Sequence, residues 1–545
     1  MDTNSSFIVY VGNMKNVITR DSDALAMTTR SRLHINQLPE ELLRGVFLRH
    51  VSRCRGGWSK FRSNNKRKPY HWLRITFVCR HWRITALEMP VIWTHIVTTH
   101  PVECIQTMLE RSRPLPITVN PSLSDLSDRA TREMSFTVAR LILEELYRIQ
   151  DLEFEFREAD IIEVFNNRPP SQLILKRLNL SCDLSPHRLS QPSFESLRHS
   201  SHLTHLTLNI TSWDQAKLLF CPTMQVLDLT LADYVAAPRM LEALNLMPFL
   251  TQFKIDHEGA MPNVIEALSE TRSIVYLPRL ECYDFTGMIE DCNWLLNHLS
   301  FPPSARIYVD VAPYSTQTAT ATEGLTSSIA SKLYPSRSNS HTNNELPLLT
   351  FAIEQSVIVP CVEILGWRSV HTEGVFLDQE LRTRSSFHEP TVGLHIDTER
   401  TSHEFLLEMM RRYFTLNEVR SLSIHRLSSL EIRPFLPLAL NFIRSTPLVH
   451  TLAVYEWTFD DLSAFLLHED QNGDSEDNLI SEASRTLRPF ILPSLHTLVV
   501  EHPNYHWGGS EETGGDLLLH EALKKREPSY GCLKRLVVES NDDSC

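Results

Sequence analysis

The sequence predicts an α/β chain, with a small helical module near its start and then a long series of strand–helix repeats whose strands form a parallel sheet. Three observations carry this reading. Apolar residues recur at helical spacing in two bursts between residues 38 and 93. From residue 175 onward a phrase, apolar-x-x-apolar-x-apolar, returns at steps of 28, 21, 26 and 30 residues, the period of stacked supersecondary units. Finally, Pro222, Pro248, Pro278, Pro447 and Pro493 each stand two residues before the first apolar position of a copy. Proline there ends a helix and sets an extended approach to the strand.

The first burst is Leu38-Pro39-Glu40-Glu41-Leu42-Leu43 continuing to Val46 and Phe47. Pro39 suits a first helical turn, where its missing N–H is no loss. Glu40 and Glu41 sit beside the positive end of the helix dipole. Leu42, Leu43, Val46 and Phe47 gather on one apolar stripe. The second burst is Val78-Cys79-Arg80-His81-Trp82-Arg83 with Ala86 and Leu87, ended by Pro90 and followed by Ile92-Trp93. Two or three short helices with this much aromatic surface cannot bury it among themselves, so they are expected to dock.

Both halves in this order, with Trp93 after a proline, resemble an F-box, over about residues 35–97. The resemblance implies a helical module that binds the Skp-type adaptor of cullin–RING ubiquitin ligases. It assigns adaptor contact to Leu38, Pro39, Leu42, Leu43, Val46 and Phe47, with Val78, Cys79, Trp82 and Trp93 supporting or extending it. Some of these must form the module's own core, with Trp82 and Val78 the first candidates. The sequence departs from the compact form of the motif by an insertion, 52–69. The insertion carries Arg53, Arg55, Lys60, Arg62, Lys66, Arg67 and Lys68 without an acid, interleaved with Trp58 and Phe61 and followed by Tyr70 and Trp72. It reads as a solvated loop with aromatics tucked against the helices, or as a nuclear-import or nucleic-acid patch.

Residues 1–34 are polar without sustained period and read as a flexible arm. Beyond residue 98, Leu115–Val119 alternates as a strand, and 132–148 reads as a helix through Met134, Val138, Leu141, Ile142 and Leu146. The phrase then begins at Leu175, Leu203, Met224, Leu250, Leu280, Val419, Val449, Leu495 and Leu533, with weaker copies at Ile149 and Leu348. Arg306–Val311 is a further strand. Helices are expected between copies, for example 239–247, 263–268, and the stretch after a possible capping box at Thr401–Glu404. The copies resemble leucine-rich repeats. The position three beyond the last apolar residue, where that family carries Asn, here holds Asp183, Thr211, Ala232 and Glu258, and only the final copy has Asn541. An irregular leucine-rich-repeat solenoid over 98–545 is therefore expected, its strands stacked in parallel in chain order. Mobile loops are expected at 314–344, with one helix near Leu325–Leu333, and at 469–482. The combination is similar to the large F-box families of mushroom-forming fungi (basidiomycetes).

Bulk composition narrows the function. The chain has 545 residues, 42% hydrophobic and 22% charged, as an ordinary folded protein does. Only 16 are glycine, which disfavours glycine-rich phosphate loops. The formal charge of −13 disfavours nucleic acid as the partner of the whole molecule. The 10 cysteines are scattered singly, with no Cys-x-x-Cys and no zinc-site spacing, which fits a reduced, cytoplasmic and/or nuclear setting. The apolar stretch Phe7–Val11 is too short for a signal-peptide core, and no run reaches the ~18 residues of a membrane helix. No cofactor or metal is implied.

A search for an active site finds no Gly-x-Ser-x-Gly elbow and no phosphate-binding Gly-rich Lys loop. His403-Glu404 and His520-Glu521 begin like a zinc-protease helix, but Leu407 and Lys524 stand where the second His would be. The expected function is thus non-catalytic: a substrate-recognition subunit linking a target protein to adaptor and cullin. The alternative is a leucine-rich-repeat interaction scaffold that recruits no ligase. A target is expected on the outward residues between the last two apolar positions of each copy, since strand side chains alternate. These are Asn179, Thr207, Asp228, Lys254, Asp284, Ser423, Ala453, Val499 and Val537. The late, apolar part of this row needs a cover, either a target or the chain's own 502–516 loop with Tyr505 and Trp507.

Overall fold

The computed structural model describes residues 38–56, 70–98, 102–120, 129–156, 173–182, 197, 200–231, 233–257, 273–311, 319–334, 348, 350–355, 361–369, 391–397, 403–425, 442–455, 462, 492–501 and 535–539. The chain divides into two units, 1–92 and 93–545. The helix expected at 263–268 and the loop at 469–482 lie outside the described residues, as do the arm 1–34, the Thr401 cap and the 502–516 loop.

Unit one holds helix α1 (Glu40–Gly56), a 3-10 helix (His71–Phe77) and helix α2 (Arg80–Leu87). The first five residues of the expected insertion therefore continue α1.

Unit two is mixed α/β. Its strands are β1 (His95–Val97), β2 (Ile117–Asn120), β3 (Ile149–Phe156), β4 (Arg177–Cys182), β5 (His205–Thr211) and β6 (Val226–Leu231). They continue as β7 (Gln252–His257), β8 (Val275–Tyr276), β9 (Cys282–Gly287), β10 (Leu299–Ser300), β11 (Arg306–Val311) and β12 (Thr350–Gln355). The last six are β13 (Cys361–Trp367), β14 (Val392–Asp397), β15 (Ser421–His425), β16 (Thr451–Tyr455), β17 (Thr497–Glu501) and β18 (Arg535–Glu539). Sixteen of these make one sheet, while β8 and β10 pair separately.

The sheet runs β1 to β7, then β9 and β11, in chain order and in parallel. Its register is the one the phrase predicts. Leu178, Leu206, Leu227, Phe253, Tyr283 and Ile307 stand opposite one another, as do Leu180, Leu208, Leu229, Ile255, Phe285 and Val309. All twelve are buried, and each such side chain taken from water stabilises by about 1.5–3 kcal/mol.

The punctuating prolines have a more specific place than a helix stop. Each is the second residue of a turn closed by the first apolar N–H: Met224 to the Cys221 carbonyl (3.1 Å), Leu250 to Met247 (3.2 Å), Leu280 to Leu277 (3.2 Å), Val449 to Thr446 (3.2 Å) and Leu495 to Leu492 (3.2 Å). Proline's fixed φ suits that turn position. Just after the turn a backbone rung ties each copy to the one before: Gln225 N–H to the Thr204 carbonyl, Thr251 to Gln225, Glu281 to Thr251 and Arg306 to Glu281, all at 2.7–2.8 Å.

Chain order breaks at one place. The neighbour of β11 is β14, followed by β13 and then β12, with β13 antiparallel to both its partners. The weak copy at Leu348 is in register, Phe351 and Ile353 facing Leu422 and Ile424 of β15. The strictly parallel order expected for 98–545 is thus replaced here by a reversed three-strand insert. Gly366 permits the approach, since a Cβ there would lie 2.8 Å from Val392 Cγ1 and 2.9 Å from Leu348 Cδ1.

The helices of unit two follow the same order. They are α3 (Val102–Ser112), α4 (Arg129–Glu144), α5 (Trp213–Lys217), α6 (Ala237–Leu244), α7 (Ile289–His298), α8 (Ala319–Leu333) and α9 (His403–Tyr413). A buried ion cluster fixes the first repeats. Arg148 bonds Glu145 Oε2 (2.8 Å), Ser112 Oγ (3.0 Å) and the carbonyls of Leu115 (3.0 Å) and Leu109 (2.9 Å), so it satisfies the end of α3. Burial pushes the Glu145 carboxyl up, but bonds from Arg148, Tyr147 and Arg113 outweigh it and hold it below the usual range. Further along, buried Asp291 of α7 accepts from the Tyr234 hydroxyl (2.7 Å) and the Ala237 N–H (3.1 Å), capping α6 from two copies further along the chain.

Helix α8 includes the helix expected near Leu325–Leu333 and begins earlier, at Ala319, inside the stretch 314–344 otherwise expected to be a mobile loop. Its Ser, Thr and Ala content offers no apolar stripe from which the earlier start could be read. In the structure those small residues are the packing face: Thr322, Thr326, Ser328, Leu325, Ile329 and Leu333 are buried. Ser328 Oγ donates to Asn293 (2.7 Å) and Asn297 (3.0 Å) of α7, and Thr326 Oγ1 to its own helix at Thr322 (2.8 Å).

Candidate functional site

In unit one the helix period resolves which apolar residues face in. The N–H of Leu43 bonds the Pro39 carbonyl (3.1 Å), so α1 winds from Pro39 onward, and the Glu40–Arg44 pair supports its first turn. Leu43, Phe47 and Val51, four apart, are fully buried. Leu42 and Val46, on the flank of that stripe, are 59% and 50% exposed. The single stripe expected from Leu42 to Phe47 thus divides into a core edge and an outward edge.

The second half is built around Trp82. Its ring meets Phe47 edge-on at 5.1 Å, and Trp72, Ile75, Tyr70, Ala86, Met89 and Ile92 complete the core. Tyr70 and Trp72 tuck in as expected, whereas Trp58 and Phe61 lie outside the described residues. Cys79 starts α2: its extended backbone lets Sγ accept the Trp82 N–H at 3.5 Å. Val78, expected in the core, is 53% exposed. Leu38 is half-buried and Pro39 exposed.

Of the ten residues assigned to adaptor contact, Pro39, Leu42, Val46 and Val78 are thus open. Leu43, Phe47 and Trp82 are inside, and Cys79 is a half-buried cap. Trp93 belongs to unit two, buried, with the Arg111 guanidinium 4.5 Å over its ring. The sequence reading missed Leu48, Phe77, Ile84 and Val91, which are also exposed, Phe77 most of all at 79%. Their signal is their position off the inward spacing. Seven large apolar side chains left wet among the described residues of so small a unit are the candidate docking residues.

The outward row of the sheet divides as well. Asn179, Thr207, Asp228, Lys254 and Asp284 face one another across β4 to β9, half-buried or exposed. Asn179 Nδ2 donates to Glu153 (3.3 Å), and Arg177 pairs with Asp151 (3.2 Å) in the row below. Burial pushes the Asp284 carboxyl up to about 6, against the pull of Lys254 and with the push of Asp228, Asp256 and Asp310. Burial raises Asp228 too, again against Lys254. This half of the row is an acidic strip around one lysine.

The late half is different. Ser423, Ala453 and Val499 are paired in register, Val499 with Val537, and the first three are buried. Their neighbours on the opposite face, Leu422, Leu452 and Leu498, are buried as well, so these strands are covered on both sides. Val499 is therefore no free contact for a target, and Ser423 and Ala453 beside it are not left wet either. Among the described residues no helix is long and apolar enough to cross a membrane. Compared with known proteins, the chain matches no family model and no curated protein significantly.

Proposed function

We propose that this chain is the substrate-recognition subunit of a Skp–cullin–F-box ubiquitin ligase, with unit one as the F-box and unit two as an irregular leucine-rich-repeat solenoid. The observation that carries the reading is the exposed apolar set of unit one: Leu42, Val46, Phe77 and Val78 are left wet by a module whose core is otherwise closed. Apolar side chains presented this way are complementary to a partner's apolar groove. The action is proximity: one unit holds the adaptor, the other a target, and the effective concentration of the target near a ubiquitin-charged enzyme rises. The chain's own residues contribute recognition and no chemistry.

Target capture is assigned to the early outward strip, Asp228, Lys254 and Asp284 with Asp256 and Asp310 beside them. Partly buried carboxylates whose charge is disfavoured gain from a cation, so a Lys- or Arg-bearing segment is the fitting target. Purification of the full chain from cells tests the reading: adaptor and cullin are expected to accompany it and to be lost with Leu42→Asp. Recovery of the chain without either would favour the scaffold that recruits no ligase. Asp228→Lys with Asp284→Lys is expected to abolish target capture while adaptor recovery stays unchanged.

A further inference from the structure

We propose that His50, Cys54 and His71 form a binding site for a zinc-class divalent ion, one that clips the end of α1 to the start of the 3-10 helix. The inference stands independently of the ligase reading. His50 and Cys54 are four apart on α1 and therefore project from one face, a turn apart. His71 opens the 3-10 helix and comes from beyond residues 55–70 of the chain. The three ligating atoms all lie within 4.8 Å of one another, and His50 Nε2 is 3.9 Å from Cys54 Sγ. Zn–N and Zn–S bonds of about 2.0 and 2.3 Å at a tetrahedral angle put N and S roughly 3.6 Å apart, so the His50–Cys54 pair needs a few tenths of an ångström of closure and His71 up to about 1.5 Å.

The donor set selects the ion. Two imidazoles and one thiol, with no carboxylate in the group, suit zinc and its borderline neighbours and give calcium or magnesium nothing to hold. Arg53 stands near His50 and repels a cation, and the thiolate that Cys54 becomes on releasing its proton to solvent offsets this. Three protein ligands leave the fourth position for water or a further ligand. The sequence hid the site because its signature is His-x-x-x-Cys on one helix plus a distant His, not a paired-cysteine motif.

The test uses the full chain, stripped with a chelator and titrated with Zn²⁺ alone and with Co²⁺ alone as a spectroscopic probe. The expected result is one equivalent bound, with an intense tetrahedral Co²⁺ spectrum and a thiolate charge-transfer band. Cys54→Ser is expected to remove that band, and His50→Ala and His71→Ala to weaken Zn²⁺ binding by at least about 100-fold. His81→Ala, exposed in the same unit and outside the triad, is expected to bind as the unaltered chain does. Far-ultraviolet circular dichroism checks that each variant keeps its fold. Affinity unchanged in all three triad variants, or an octahedral Co²⁺ spectrum without the thiolate band, would overturn the site.

Discussion

Replacing Leu42 by Asp is expected to separate the proposed docking from folding in unit one. Leu42 and Val46 keep 59% and 50% of their surface wet. Burying a whole Leu or Val side chain is worth about 1.5–3 kcal/mol, so the wet part of each has roughly 1 kcal/mol to give in a dry contact. Truncating both to Ala is then expected to weaken adaptor binding by about 2 kcal/mol, roughly 30-fold. Leu42→Asp goes further, because a carboxylate is pressed into an apolar contact without a partner. Such a charge costs about 3–5 kcal/mol, or two to three and a half orders of magnitude in Kd. Phe47→Ala is the contrasting control: it hollows the core beside Trp82 and should cost unit one about 3–5 kcal/mol of stability. The assay is calorimetric titration with purified adaptor, beside a denaturation curve for each variant. Binding of Leu42→Asp within about tenfold of the unaltered chain would refute the docking surface.

Arg148→Met is expected to destabilise unit two by about 3–5 kcal/mol, because buried Glu145 loses its principal partner, and a shifted urea midpoint reads it. Burial holds the His257 imidazole at about 4, below its ordinary 6.5, and among the described residues neither ring nitrogen has a hydrogen-bond partner. The unfolded chain therefore takes up that proton first. Its contribution is complete above pH 6.5 and falls by about 3 kcal/mol as pH drops towards 4. Denaturation at a series of pH values should show that slope, and His257→Phe should flatten it. Gly324→Leu is expected to cost about 1–3 kcal/mol and lower the Tm, as even a Cβ there would stand 2.8 Å from Asn293 Nδ2 of α7.

The inward ladder was legible because Leu, Phe and Tyr in a fixed phrase have one way to be buried together, and the prolines marked its register. The reversed insert was not. Val362, Ile364 and Leu365 of β13 and Leu394 of β14 follow no phrase and no punctuating proline, and alternation alone does not say which way a strand runs. Helix α8 was only half legible, since small residues packed against a neighbour look like small residues in a loop. In unit one the helical period was right, but a stripe has edges. Only the core itself shows that Leu43 lies inside it and Leu42 outside. Asp228, Lys254 and Asp284 follow from strand alternation alone, whereas Asp256 and Asp310 beside them and the burial of Ser423 and Val499 do not.

The swapped order of β14, β13 and β12 has a consequence for how the chain is made. Strands β1 to β11 can be laid down as they leave the ribosome, each finding its neighbour already in place, with β8 and β10 set aside. After Val311 that stops. The neighbour of β11 begins at Val392, about 80 residues later, which is roughly 4–16 s of synthesis at ordinary rates. Through that interval the growing sheet ends in a bare row of backbone donors and acceptors on β11, the most adhesive surface a nascent chain can show. Strand β12, already made, has nothing to join until β13 and β14 bridge the gap. This three-stranded insert is therefore what joins the early strands, which can pair in the order they are made, to the late ones.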